Sequence, residues 1–277
     1  MQLLFNPLKK ILDFIVYSNF FISACVAFFT IQTALVFQNH SETILEFALP
    51  NFIATFILYN FQRLYFGAKH PESPKYYWHT KNRRLIFTLI LLLIVCCFTP
   101  VWILFSENPT NLIAYGCLFV FSTFYFLPPF NLRKYGVLKP FMIAFVFVCI
   151  SIILPLLPKI NFAITVYAIG QFSFIAALAM LFDIRDLEND KTENVITTPV
   201  KSGIKTAKFI TVVLLLIYFI SSVYLSQINF IITAIIILIL SLALTLFAKP
   251  NRHNYFYLFL VDGLIILQCL LFLSVKL

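Results

Sequence analysis

The chain has 277 residues, 61% of them hydrophobic and only 11% charged, with mean hydropathy +0.95. Soluble domains average about 45–50% apolar and roughly 25% charged residues, so this composition excludes an ordinary water-soluble domain. The net charge of +9 calls for no nucleic-acid partner, because topology and attraction to anionic lipid headgroups account for basic residues in such a chain.

Crossing a ~30 Å hydrocarbon layer takes about 20 apolar residues, and nine segments of that kind follow one another. They run from Phe14 to Phe37, Ile44 to Phe66, Leu85 to Phe105, Thr110 to Leu127, Val137 to Leu157, Phe162 to Phe182, Phe209 to Leu225, Ile228 to Phe247 and Tyr255 to Leu273. The runs are continuous rather than alternating, which predicts helices that satisfy their own backbone instead of a barrel. The fold class is an all-α polytopic membrane helix bundle, read as a single domain over 1–277 because the connections are short. The first run follows Lys9 and Lys10 and has no small-residue cleavage site after it, so it reads as a retained anchor.

Basic residues accumulate at the cytoplasmic ends of spans. Lys9, Lys10, Lys69, Lys75, Lys81, Arg83, Arg84, Arg133, Lys134, Lys139, Arg185, Lys191, Lys201, Lys205, Lys208, Lys249 and Arg252 all fall in connections of one parity, with Lys159 and Lys276 opposite. This predicts an integral protein of the cytoplasmic membrane with its N-terminus inside and its C-terminus outside.

Between the second and third spans, the stretch from Lys69 to Arg84 mixes basic residues with Tyr76, Tyr77, Trp78 and His79. It can lie at the interface as an aromatic belt and positive anchor, or cover a polar mouth with Lys75, Arg83 or Arg84 near phosphate. Pro71 and Pro74 hold off a long helix until after Lys75. The six cysteines all lie within spans, the four histidines are scattered over different connections, and neither group forms a zinc pattern. The six glycines make no phosphate-cradling loop.

The informative polar segment lies where the sixth span ends, Phe182-Asp183-Ile184-Arg185-Asp186-Leu187-Glu188-Asn189-Asp190-Lys191. If the helix continues, Asp183, Asp186 and Asp190 share one stripe of a 3.6-residue repeat and face one point. Such hard oxygen ligands suit Mg²⁺, which binds one or two carboxylates together with substrate phosphates. The alternative is a solvated connection in which Arg185, Lys191, Asp186 and Glu188 pair among the headgroups. Elsewhere, Asp262 near the middle of the ninth span and Asn19 in the first are polar candidates at membrane depth.

The segment from Asp183 to Lys191, followed by Thr197-Thr198-Pro199-Val200, resembles the second acidic motif of the UbiA-type intramembrane prenyltransferases and its trailing T-L-P-V. Tyr125-Phe126-Leu127-Pro128-Pro129-Phe130-Asn131-Leu132-Arg133-Lys134 is similar to that family's Y-x-x-P-P-x-x-L-K signature. The resemblance implies nine helices and a polyprenyl diphosphate donor held through Mg²⁺ between two acidic motifs. It also implies transfer of the prenyl group to an aromatic or lipid acceptor. A non-catalytic relative that binds or moves an isoprenoid or other lipid is the alternative it leaves open.

The sequence departs from the family at the first motif, N-x-x-x-D-x-x-x-D or N-D-x-x-D, where Tyr59-Asn60-Phe61-Gln62-Arg63-Leu64-Tyr65-Phe66-Gly67-Ala68 stands. Neither register restores a carboxylate. A short internal echo sets Arg63 opposite Asp186, which suggests that Arg63, a permanent cation able to fork onto phosphate oxygens, replaces one metal while Asp186 and Asp190 keep another. The candidate catalytic residues are therefore Asp186, Asp190 and Arg63. The candidate metal ligands are Asp183, Asp186 and Asp190. The candidate substrate contacts are Asn60, Gln62, Arg185, Arg133, Lys139, Tyr125 and Asn19. The implied partners are a polyprenyl diphosphate and membrane lipid.

Overall fold

A computed structural model of the chain describes residues 2–37, 41–67, 74–107, 109–124, 135–225, 228–250 and 252–276. Among the described residues every regular element is helical. In chain order the helices are α1 (Gln2–Tyr17), α2 (Phe20–Val36), α3 (Ser41–Leu45), α4 (Ala48–Gly67), α5 (Pro74–Lys81), α6 (Arg83–Glu107) and α7 (Pro109–Phe124). They continue with α8 (Lys139–Val148), α9 (Leu154–Leu156), α10 (Phe162–Arg185), α11 (Leu187–Thr192), α12 (Thr198–Tyr224), α13 (Ile228–Phe247) and α14 (Asp262–Lys276). Among the described residues five segments are long and apolar enough to cross a membrane, or six if the bent pair α1 and α2 counts as one span. α4, α6 and α7 lie over the other three expected spans.

Helix α10 is the axis of the bundle. It is buried along most of its length and packs on α8 and α12, while α2 packs on α4 and α14, and α13 joins α12 to α14. In lipid, close approach of backbones through small residues drives association of helices that are apolar all round. α10 supplies Gly170, Ser173, Ala176, Ala177 and Ala179 for this. At Gly170 a Cβ would lie 1.8 Å from Ser221 Oγ, so α12 rests directly on the α10 backbone. The outward faces of the neighbouring helices carry Phe209, Ile220, Ile239 and Leu246, all exposed, as a lipid-facing surface requires.

Three features depart from the reading of nine uninterrupted spans. The first expected span breaks at Ser18–Asn19, where the axes of Lys9–Tyr17 and Phe20–Val36 differ by 62°. Asn19 adopts the left-handed conformation, φ 64 and ψ 11, which Asn tolerates better than most residues. Its side chain is held by contacts from α4 and α5 that no local sequence signal encodes. The fifth and ninth spans each contain a π-helical turn, Cys149–Ile153 and Phe256–Val261. At the first of these the Ile150 carbonyl accepts from Asn51 Nδ2 at 2.9 Å.

The seventh span begins at Thr198 rather than Phe209, because Thr197 precedes the helix and Pro199 occupies its first turn. Lys201, Lys205 and Lys208 lower the hydropathy of that stretch, in which two helical pieces meet. Within it, Gly203 sits at φ 86 and ψ 164, a kink open essentially to glycine alone.

Candidate functional site

Three helix ends meet at the acidic segment. The 3₁₀ turn Gly136–Leu138 delivers Lys139 to the first position of α8. A Cβ on Gly136 would lie 2.7 Å from the Ile196 carbonyl carbon and from Thr197 N, so the absence of a side chain lets this turn lie on the segment before α12. Thr197 and Thr198, the residues of the trailing motif, are buried at that junction. On the other side α10 ends at Arg185, Asp186 takes φ −85 and ψ 5, and α11 starts afresh at Leu187.

That break rearranges the expected acidic stripe. Asp183, on the last turn of α10, and Asp190, on α11, are both fully buried, and Lys139 reaches in to both of them. Its Nζ lies 2.7 Å from Asp183 Oδ1 and 3.8 Å from Asp190 Oδ2. Asp186 is paired with Arg185 instead. Arg185 Nε donates to its Oδ1 at 2.7 Å and a terminal guanidinium nitrogen donates to Oδ2 at 2.9 Å. The same guanidinium carbon stands 4.7 Å from the Phe182 ring centroid and 5.8 Å from that of Tyr257. Glu188 and Lys191 pair at 3.2 Å on the exposed side of α11, as the solvated reading has it for those two residues.

The three carboxylates therefore do not face one point. Among the described residues no group of three or more His, Cys, Asp or Glu side chains comes together to hold a metal ion. Mg²⁺ demands near-octahedral oxygen ligands, whereas here an ammonium lies against Asp183 and Asp190 and a guanidinium forks both oxygens of Asp186. As arranged, these residues do not fit a three-carboxylate Mg²⁺ site.

Beside the acids opens a cavity of about 250 Å³. Its polar end is lined by Gln62 and Arg63 from the end of α4, Lys139 from the start of α8, and Arg185 and Asp186 from the end of α10. Its body is apolar. Met142, Ile143, Val146 and Phe147 run along one face of α8, and Ile175, Leu178, Ala179 and Phe182 along one face of α10, both at helical spacing. At ~1.5 Å per residue the step from Phe182 back to Ile175 leads about 10 Å into the bundle. Tyr59, Phe121, Phe147 and Phe182 contribute rings to the wall. Asp262 also lines the cavity where the π turn passes into α14, and the charges of Arg185 and Arg63 reach it.

Asn19 and Asn60 lie elsewhere. Asn60 is fully buried; its Nδ2 donates to the Ser18 carbonyl at 3.0 Å and the Phe56 carbonyl at 2.8 Å, and its Oδ1 accepts from Asn19 Nδ2 at 3.0 Å. His79 Nε2 lies 2.8 Å from the same Oδ1. Neither asparagine is among the cavity-lining residues. Together with His79 they close the joint between the α1–α2 break, α4 and α5. Sequence reasoning set His79 aside, and no local pattern points to it, since its partners come from two other helices.

Trp78 packs its ring at 6.3 Å from Phe14 and 6.4 Å from Tyr17, which seats α5 on α1, while Arg83 and Arg84 are exposed. Tyr125 and Arg133, with the rest of the Pro-Pro signature and Lys69, lie outside the described residues.

The chain matches the UbiA prenyltransferase family over residues 79–261, about two-thirds of its length. The match includes the second acidic segment and begins beyond the carboxylate-free stretch at 60–68. No curated protein and no solved structure matches the chain.

Proposed function

We propose that this chain, which belongs to the UbiA prenyltransferase family, is a membrane-embedded prenyltransferase that takes a polyprenyl diphosphate into the cavity beside α8 and α10 and transfers its prenyl group to an aromatic or lipid acceptor. One observation carries the reading: a single cavity joins a polar end, containing Arg63, Lys139 and Arg185, to an apolar body that runs into the bundle. Such a cavity suits a ligand with an anionic head and a hydrocarbon tail.

Arg63 can fork two donors onto phosphate oxygens, Arg185 adds the charge of a guanidinium already forked on Asp186, and Lys139 offers a compact point charge. As the bond between the first prenyl carbon and the diphosphate oxygen breaks, its electron pair leaves with the diphosphate, whose growing charge these cations stabilise. The allylic cation left behind faces the rings of Tyr59, Phe121, Phe147 and Phe182, whose negative faces attract positive charge. Water is kept out by the apolar wall. With the basic helix ends placed at the cytoplasmic side, the diphosphate would enter from the inner leaflet and the tail would extend toward the membrane centre.

The carboxylate-free segment at 60–68 favours a second reading, a relative that binds an isoprenoid without turnover. Purified protein incubated with Mg²⁺ and polyprenyl diphosphates of several lengths separates the two by released pyrophosphate. Release from wild type and not from Asp186→Ala supports the transferase, and no release from any donor supports the binding protein.

A further inference from the structure

Two carboxylates buried together cannot both stay ionised without a positive charge near them. In a metal-dependent diphosphate site that charge is a divalent ion. In this chain it is built in: Lys139 Nζ lies 2.7 Å from one oxygen of Asp183 and 3.8 Å from one of Asp190, and the two acids have no exposed side-chain surface. Resting on the reading of the cavity as a diphosphate site, we infer that Lys139 stands in for the divalent ion at Asp183 and Asp190, so that the diphosphate head binds here with no metal ion held by those two acids.

The placement of the surrounding charges supports this. Lys139 belongs to the cavity wall while Asp183 and Asp190 do not. The two acids thus face Lys139 from behind, and the ammonium is presented to the ligand. An ammonium carries three donors, enough to serve an acid on one side and a phosphate oxygen on the other. Of the charged groups lining the cavity, three are cations, Arg63, Lys139 and Arg185, and two are carboxylates, Asp262 and Asp186, the latter already forked by Arg185. A wall of that sign attracts a bare diphosphate. The first acidic motif lacks its carboxylates and carries Arg63; at the second the carboxylates remain and Lys139 supplies the cation. The location of Lys139 is set by the 3₁₀ turn and by the close approach of Gly136 to Thr197, so the ammonium is fixed by the fold and does not depend on a mobile surface side chain.

Binding separates this role from a purely structural ion pair. A non-hydrolysable farnesyl thiodiphosphate is titrated into the purified full-length protein, once in EDTA and once in excess Mg²⁺, and Mn²⁺ binding is followed by electron paramagnetic resonance. Wild type is expected to bind the probe with the same affinity in both buffers and to show no Mn²⁺ held by the apo-protein. Lys139→Met keeps most of the length of the side chain and removes its charge. It is expected to lose affinity in EDTA by about tenfold or more, the loss of a charge-assisted contact, to regain it in Mg²⁺, and to acquire a bound Mn²⁺ that Lys139→Met/Asp183→Asn lacks. A merely structural lysine would lower stability without creating that metal requirement. Should the variants fail to fold, the wild-type comparison decides alone. Wild-type binding that needs Mg²⁺ overturns the inference and leaves the diphosphate reading standing, whereas no binding in either buffer overturns both.

Discussion

Replacing Arg63 by alanine is expected to weaken binding of a diphosphate-headed ligand while leaving the fold intact. The guanidinium lines the polar end of the cavity with Gln62, Lys139 and Arg185, and one hydrogen bond to a charged group contributes about 1.5–3 kcal/mol. At 1.4 kcal/mol per decade, the loss of one such contact raises Kd by roughly 10- to 100-fold. Arg63→Lys keeps the charge but not the planar fork, so its affinity should fall between wild type and alanine. Isothermal titration with farnesyl thiodiphosphate, at one fixed ionic strength because salt screens exposed charges, measures the effect. The competing account is that Arg63, near the end of α4, extends toward the headgroups and only anchors the helix. That account predicts no change in Kd. An unaltered Kd in a folded Arg63→Ala protein would refute the argument that this cation replaces the missing carboxylates.

Asn60→Leu should destabilise the protein, because the Ser18 carbonyl loses its buried donor, while the Asn19 amide and His79, 3.4 Å apart, lose the oxygen they share. For one buried acceptor left without its donor the cost is about 1–3 kcal/mol, which lowers Tm by roughly 2 °C or more; a Tm equal to wild type in a detergent melt would contradict the role of Asn60 in this joint. Gly203→Ala forces a side chain onto φ 86 and ψ 164, at about 1–3 kcal/mol, and the same melt should show a lowered Tm. Ala179→Phe fills the apolar body of the cavity, and overpacking of about 1–3 kcal/mol should raise Kd for long-tailed donors more than for short ones. Equal effects on all tail lengths would place the tail elsewhere.

The helices were legible because the physics that makes them is local. Long apolar runs have only one way to satisfy their backbone in lipid, so segments such as Phe162–Phe182 and Ile228–Phe247 appear in the structure almost as read. Interruptions were not legible, because each is made by contacts between distant parts of the chain. Asn19, at the break in the first span, has its side chain against Asn60 and His79, and the π turn at Cys149–Ile153 has its Ile150 carbonyl satisfied by Asn51 on α4. Hydropathy also hid the start of α12, where Lys201 lies on the short piece that Pro199 initiates and Lys205 and Lys208 follow the kink at Gly203.

At the site the same distinction holds with more consequence. The acids at the end of the sixth span drew attention by their spacing, yet the stripe drawn from 3.6 residues per turn assumed that α10 runs on through Asp186. The chain breaks there instead. Asp190 returns to the side of Asp183, and Asp186 is left to Arg185 at the cavity mouth. Composition placed Lys139 among the basic residues of one membrane face, and nothing near it in sequence tied it to two buried carboxylates. Its function follows from the sign of the field it creates. A lysine whose charge is matched by acids behind it, and whose surface opens on the cavity, turns a pair of carboxylates that would hold a cation into the support for one already present.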